Sequence, residues 1–131
     1  MIVTEKTNII YCGVNMIVQK NERKTEIKEK MRGGEGSVQI SHMVDAEKEK
    51  HTRMLGEITL GSGCSIGYHE HVNETEYYFI ISGTGSVNDN GKEVTVRAGD
   101  AVITGNGASH SIKNTGKDPL VFHAVIITYD K

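Results

Sequence analysis

The sequence predicts an all-β protein, an antiparallel sandwich or barrel, and three observations lead to that prediction. From residue 37 onward the apolar residues recur with a period of two, as on a strand that buries one face. Small groups of glycine recur along the chain, which is typical of tight turns between short strands. After residue 50 no segment has the period of an α-helix.

An N-terminal arm is predicted over residues 1–36, ahead of a barrel over residues 37–131. Residues 8–18 (NIIYCGVNMIV) are apolar and predict a peripheral strand within that arm.

The second part of the arm, residues 19–32 (QKNERKTEIKEKMR), is highly charged. Ile27 and Met31 are four residues apart, which permits a short helix that ends at GGEG, residues 33–36. Its excess of basic residues is small, so a solvated helix or loop is favoured over a phosphate-binding arm.

The barrel region is predicted to contain nine strands. In chain order these are SVQISHMV, TRMLGEITL, CSIGYHEH, TEYYFIIS, GSVNDN, KEVTVRA, DAVITG, SHSIKN and PLVFHAVIITY. DNG at 89–91 predicts a hairpin, because Asn and Gly tolerate the positive φ of a type I′ turn.

Composition excludes several classes of function. The 131 residues suffice for one domain, and a net charge of −2 argues against a general nucleic-acid binder. No apolar run is long enough for a transmembrane helix, and no nucleotide-binding loop is present. The N-terminus has no signal-peptide pattern, and Cys12 and Cys64 form no CxxC, so reduced thiols in a cytoplasm are expected.

Two histidines one residue apart are the first sign of a functional site. On a strand His69 and His71 point to the same face, whereas Glu70 points to the other. Two imidazoles so placed can share one metal ion. Of the two carboxylates that follow, Glu74 lies in a predicted turn, and Glu76 opens the next strand, facing back toward the histidines.

A fourth ligand is expected from another histidine. His51, His110 and His123 are the candidates, and His110 is favoured because it follows a glycine-rich turn and begins an alternating stretch, as His69 does.

Two long motifs around these residues resemble those of the cupin superfamily. The first, G-x5-H-x-H-x3–4-E-x6-G, occurs at 63–83 as GCSIGYHEHVNETEYYFIISG with every fixed position matched. The second, G-x5-P-x-G-x2-H-x3-N, occurs at 99–114 as GDAVITGNGASHSIKN. Gly105 replaces the usual proline, which is expected to loosen the turn before His110 and to leave the ligand spacing intact.

The resemblance implies a double-stranded β-helix (jelly-roll) barrel of six to eight strands with a metal inside. It implies the metal ligands His69, His71, Glu76 and His110. It also implies a homodimer, often with exchanged N-terminal strands, and residues 8–18 fit that role.

Three imidazoles and one carboxylate suit a single divalent ion of manganese, iron, nickel, cobalt or zinc. An octahedral ion with four protein ligands keeps two positions for water, dioxygen or an oxygen-rich ligand. Three hypotheses follow: an oxygenase, decarboxylase or isomerase acting on a small oxygen-rich molecule, a non-catalytic binding or sensing module, and a barrel with a structural metal.

Four other residues have two interpretations each, and a fifth has one. Tyr78 and His123 are candidates for catalytic groups in the cavity or for core packing, and His42 is similarly ambiguous. Arg53 is either a partner for an anionic substrate or a surface residue, and Cys64 is not expected to be a ligand.

Overall fold

The computed structural model describes residues 17–130, and almost all of its regular structure is β. Three short 3₁₀ turns interrupt or precede the strands, at Lys20–Glu22, Met31–Gly33 and Ala46–Lys48. The ten strands are β1 (Lys24–Glu29), β2 (Ser37–His42), β3 (Thr52–Leu60), β4 (Ser65–Glu70), β5 (Glu74–Ser82), β6 (Thr84–Asp89), β7 (Lys92–Arg97), β8 (Ala101–Gly105), β9 (Ser109–Asn114) and β10 (Leu120–Thr128).

The strands form two antiparallel sheets that face each other. The larger sheet has the order β1-β2-β3-β10-β5-β8, and the smaller has the order β4-β9-β6-β7. This is the double-stranded β-helix that the resemblance to the cupin superfamily implied. Within residues 17–130 no helix is long and apolar enough to cross a membrane.

All nine strands predicted from residue 37 onward are present, and their bounds differ from the prediction by at most two residues. The predicted hairpin joins β6 and β7, with Asn90 at φ 51° and Gly91 at φ 103°. Both residues have the positive φ of a type I′ turn, and the Asn88 side chain accepts a hydrogen bond from the Gly91 amide at 2.8 Å.

The prediction of a short helix or loop over residues 19–32 is wrong for its central part. Residues Lys24–Glu29 form β1, which pairs with β2 and extends the larger sheet. Only Ile27 among them is a large apolar residue, and its side chain is exposed. Local charge and spacing favoured a helix, but strand pairing satisfies the backbone of this edge segment without burying its side chains.

The core lies between the two sheets, and strands β2 to β10 contribute inward-facing residues to it, whereas β1 contributes none. The larger sheet buries Val38, Ile40, Ile58, Leu60, Tyr78, Ile80, Phe122 and Ala124, and the smaller buries Ile66, Val87, Val96 and Ile112. Each valine, leucine, isoleucine or phenylalanine among them contributes about 1.5–3 kcal/mol by leaving water. The core is thereby large enough to fix the strand register on which the site depends.

The segment between β1 and β2 folds back onto β4. Its amide at Lys30 donates to the Gly36 carbonyl at 2.8 Å, which closes the loop. The Ser65 amide donates to the Glu35 carbonyl, and the Glu35 amide donates to the Ser65 hydroxyl, each at 2.8 Å. We call residues 30–36 the Arg32 turn.

Most of the predicted peripheral strand at residues 8–18, including Cys12, lies outside the described residues. The arm boundary at residue 36, the homodimer with exchanged strands and the cytoplasmic location therefore stay predictions.

The close contact between the Arg32 turn and β4 predicts the effect of one substitution. A Cβ at Gly67 would fall on the backbone oxygen of Arg32 and lie 2.9 Å from the Gly34 nitrogen. Gly67→Ala is expected to lower the free energy of unfolding by about 1–3 kcal/mol, because backbone rather than a flexible side chain must move.

The matched control is Gly116→Ala, where the nearest atom to a new Cβ would be 3.7 Å away. Urea unfolding of both variants measures the difference. Equal stabilities would show that the turn does not press on β4.

Candidate metal centre

Two strands of the smaller sheet and one strand of the larger sheet bring four polar side chains together. His69 lies on β4, His71 follows one residue after its end, and His110 lies on β9. Because β4 and β9 pair, His69 and His110 are directly opposite each other. Glu76 reaches the same point from β5 in the facing sheet.

The four side chains converge on one point. Their potential ligand atoms all lie within 4.8 Å of one another. Nε2 of His71 and Nε2 of His110 are 3.0 Å apart, and each is 3.0 Å from Oε1 of Glu76. Nε2 of His69 is 3.2 Å from Nε2 of His110.

These separations fit a common cation. Two ligands bonded at right angles to one ion at about 2.1 Å would lie about 3.0 Å apart. The three rings meet edge to face, with centroids 4.7–4.8 Å apart, so each ring turns its Nε2 toward the shared centre.

The other nitrogen of each ring has its own hydrogen-bond partner, and for His69 and His71 that partner is an acceptor, which places a proton on Nδ1. Nδ1 of His69 donates to the Gly67 carbonyl at 2.6 Å, and Nδ1 of His71 donates to the Glu74 carboxylate at 2.5 Å. Nδ1 of His110 lies 2.8 Å from the Thr104 hydroxyl. A proton on Nδ1 leaves the Nε2 lone pair free, as a metal-ligating histidine requires.

The electrostatics of the cluster favour an ionised carboxylate at Glu76. Burial would raise the pKa of Glu76, but hydrogen bonds with His110 and His71 outweigh it and hold that pKa at about 2. In such a hydrogen bond Nε2 carries the proton, and binding of a metal ion there would release it. Burial lowers the pKa of His69 to about 4, so its imidazole is neutral at physiological pH. Burial would also lower the pKa of His71, but the carboxylates of Glu76 and Glu74 raise it above its usual value.

Glu74 and Arg53 form the layer behind His71. The Arg53 guanidinium donates two hydrogen bonds of 2.8 Å to the Glu74 carboxylate, and this contact holds the pKa of Glu74 below its usual value. Glu74 in turn accepts from His71, so a chain of charge-assisted bonds orients that ring.

A small cavity of about 40 Å³ lies beside the four residues. Its apolar wall is formed by Met31, Met54, Ile58, Ile66 and Ile126. Its polar wall includes Arg32, Arg53 and the hydroxyl of Tyr78, which lies 3.4 Å from Nε2 of His110.

Tyr78 packs in the core and also lines the cavity, so its catalytic role stays a prediction. Its ring is buried between His110 and Phe122, with centroids 4.9 Å and 4.5 Å away. Burial first, and the Glu76 carboxylate second, raise the pKa of its phenol well above the usual value.

The other candidates lie away from this point. His123 is half-buried on the opposite face of β10, where it pairs with Glu57 at 3.0 Å, so it does not line the cavity. His42 pairs with Glu26 at 2.5 Å. Cys64 packs against the edge of the core, and neither it nor the exposed His51 belongs to the cluster.

The structure gives a physical reason for glycine, in place of the usual proline, at position 105. Gly105 pairs with Thr75 across β5 and β8, and a Cβ at this position would meet the Thr75 hydroxyl and lie 2.9 Å from the Thr75 Cβ. The glycine therefore permits close strand contact next to Thr104, rather than a loosened turn.

Sequence reasoning missed three residues of the site. Thr104 could have been found from the sequence, because alternation along the strand DAVITG places its side chain on the inward face. Glu74 was not favoured as a ligand, and its carboxylate instead accepts a hydrogen bond from Nδ1 of His71. Arg32 lies in a turn, where no periodicity indicates which way a side chain faces.

Comparison with protein-family models agrees with the fold and the cluster. The family model described as cupin domain matches residues 56–126, and this range includes all four residues of the cluster. The chain belongs to the cupin family.

Relatives with sequence and structural similarity extend this result over most of the chain. An oxalate-binding protein of Thermotoga maritima is 42% identical over 116 residues, covering 88% of this chain and 96% of that protein. A crystal structure from T. maritima, described as a predicted oxalate decarboxylase, has 42% identity and a TM-score of 0.82. The match covers 86% of this chain and 99% of that one.

A Klebsiella pneumoniae protein with a double-stranded β-helix domain has 25% identity and a TM-score of 0.57. The match covers 63% of this chain and 72% of that one.

The burial of Tyr78 beside Glu76 predicts a pH dependence of stability. Because the folded state raises the pKa of this phenol, the folded protein keeps the proton that the unfolded chain loses above about pH 10. Stability contributed by the protonated phenol is present below that pH and is lost as pH rises toward the folded pKa. Above pH 10 the free energy of unfolding of wild type should therefore fall by about 1.4 kcal/mol per pH unit more than that of Tyr78→Phe.

Urea unfolding between pH 9 and 11, with chelator present, measures these slopes. Tyr68→Phe, which removes an exposed phenol, should keep the wild-type slope. A stability difference between wild type and Tyr78→Phe that does not change with pH would contradict the prediction.

Proposed function

We propose that this cupin holds one divalent metal ion at His69, His71, Glu76 and His110 and binds a small dicarboxylate such as oxalate there. The observation that carries the proposal is the convergence of three Nε2 atoms and one carboxylate oxygen beside a small cavity. Such an ion supplies a Lewis-acidic centre for carboxylate oxygens.

The donor set narrows the choice of metal. Imidazole nitrogens with one carboxylate oxygen suit manganese, iron, cobalt, nickel or zinc, whereas calcium prefers six to eight oxygen ligands. The rings are already oriented by their Nδ1 partners, so little reorganisation is needed on binding.

The cavity restricts the size of the ligand. Its volume of about 40 Å³ is far below the roughly 300–1,000 Å³ of sites for drug-sized ligands. A molecule of a few heavy atoms is therefore favoured over a sugar-derived acid. The T. maritima relative is called an oxalate-binding protein, and oxalate has this size.

Binding without turnover is favoured by the groups that line the cavity. Of the described lining residues Glu76 alone carries a carboxyl group, and it belongs to the proposed ligand set. The remaining candidate proton donor is Tyr78, whose raised pKa makes it a weak acid at neutral pH.

Decarboxylation is the second candidate function. It is supported by the likeness to the structure described as a predicted oxalate decarboxylase and by the position of the Tyr78 hydroxyl beside His110. The reaction would take up one proton and convert oxalate to formate and carbon dioxide.

Calorimetric titration of oxalate into manganese-loaded protein tests the proposed function. We expect saturable binding near one oxalate per chain, and loss of that binding after treatment with chelator, because the metal holds the carboxylate oxygens. Recovery of unchanged oxalate separates binding from turnover.

Manganese-loaded protein that gives no heat with oxalate would contradict the proposed ligand. Release of formate from the same samples would replace the binding function by the decarboxylase.

The hydroxyl behind His110 predicts the effect of a substitution on metal affinity. Thr104→Val keeps the shape of the buried side chain but removes the hydroxyl that forms a hydrogen bond with Nδ1 of His110. Partners of this kind are worth about 10- to 100-fold in metal affinity, so manganese binding should weaken by that factor.

The matched control is Thr95→Val on β7, which is exposed and distant from the cluster. Competition titration with a metal-sensitive dye measures both variants. Equal manganese affinities for Thr104→Val and wild type would show that the hydroxyl does not orient the ring.

A further inference from the structure

Arg32 lines the same cavity as the metal cluster. Within residues 17–130 its guanidinium makes no hydrogen bond and no ion pair, although its charge acts on the buried phenol of Tyr78. An arginine presents up to five donors in a planar fork, so this one has its full capacity to bind an anion.

Arg53, the other arginine of the cavity, is already engaged. Both of its contacts go to Glu74, which neutralises its charge and ties it to His71. The two arginines therefore have different roles: Arg53 positions a histidine, and Arg32 faces the cavity with an unpaired charge.

The backbone holds Arg32 in an uncommon conformation. Its φ is 56° and its ψ 28°, in the left-handed region that favours glycine, and Lys30 has φ 50°. A non-glycine residue in this region is uncommon and is retained where the surroundings determine it.

The surroundings here do determine it. The Arg32 turn is closed by its own backbone hydrogen bond and joined to β4 by two hydrogen bonds with Ser65. Its backbone presses on Gly67, two residues before His69, and Met31 packs against the core. The turn is thus fixed to the strand that carries the first ligand.

Charge complementarity indicates what Arg32 binds. A divalent ion with one carboxylate and three neutral imidazoles would leave one net positive charge, and Arg32 adds a second. A dicarboxylate dianion balances both, whereas a monocarboxylate leaves the guanidinium unpaired. A bidentate guanidinium–carboxylate contact would also fix the orientation of the ligand.

We infer that Arg32 is the specificity-determining residue of the site and pairs with the carboxylate oxygens of a small dicarboxylate that do not face the metal. This inference rests on the proposed function, because it assumes that the ligand binds at the metal.

Titration of oxalate and of acetate into manganese-loaded Arg32→Met, Arg32→Lys and wild type tests the assignment. Arg32→Met should weaken oxalate binding by about 10- to 100-fold, because a bond between charged partners is lost. Arg32→Lys should weaken oxalate binding less, since it keeps the charge but not the planar fork. Acetate affinity should change by less than about threefold, because acetate has no second carboxylate.

The matched control is Arg23→Met, which removes the same charge from an arginine that pairs with Glu57 at 3.6 Å and does not line the cavity. It should bind oxalate as wild type does. Manganese affinity, measured for every variant, should stay unchanged and also shows that each variant is folded.

The failures are distinguishable. Wild type that binds manganese but no oxalate overturns the proposed function and the assignment together. Oxalate binding that is equal in wild type and Arg32→Met overturns the role of Arg32 alone. Equal weakening of oxalate and acetate, or loss of manganese in Arg32→Met, would show that Arg32 does not select for the second carboxylate.

Discussion

Three imidazole nitrogens and one carboxylate oxygen face one another inside an apolar barrel, and an arrangement of this kind is costly without a positive charge at its centre. Glu76 is buried and ionised, and burying a lone carboxylate costs several kcal/mol. The fold offsets that cost with hydrogen bonds to every ring. The Gly67 carbonyl, the Glu74 carboxylate and the Thr104 hydroxyl each lie at the Nδ1 atom of one histidine, so the three Nε2 atoms stay directed inward.

The sheets explain how the chain supports this centre. Direct pairing of β4 with β9 places His69 opposite His110. The register of β5 with β10 and β8 determines where Glu76 lies in the facing sheet. Both registers depend on the core between the sheets, because a slip of one residue would turn His69, His110 and Glu76 to the outer face. Packing and site are therefore coupled, and the polar centre is positioned by the apolar residues around it.

Much of this could be predicted from the sequence because the signals were local. Period-two patterning and glycine turns located all nine strands of the barrel region, and the spacing of His69 and His71 indicated that both lie on one face of a strand. Contacts between distant segments could not be predicted. Nothing near Glu74 in sequence reveals Arg53, and the charged segment that became β1 is a strand only because β2 pairs with it. Arg32 depends on a left-handed turn pressed against Gly67, which leaves no periodic trace.

Metal content tests the central claim most directly. Untagged protein purified without chelator would be analysed for transition elements beside a His69→Ala, His71→Ala double variant, with circular dichroism to confirm that both fold. If this cluster binds a metal ion, wild type should contain close to one divalent ion per chain, and the double variant should have lost that ion. The same metal content in both proteins, or none in either after incubation with manganese, iron, cobalt, nickel and zinc, would contradict a metal centre at these residues.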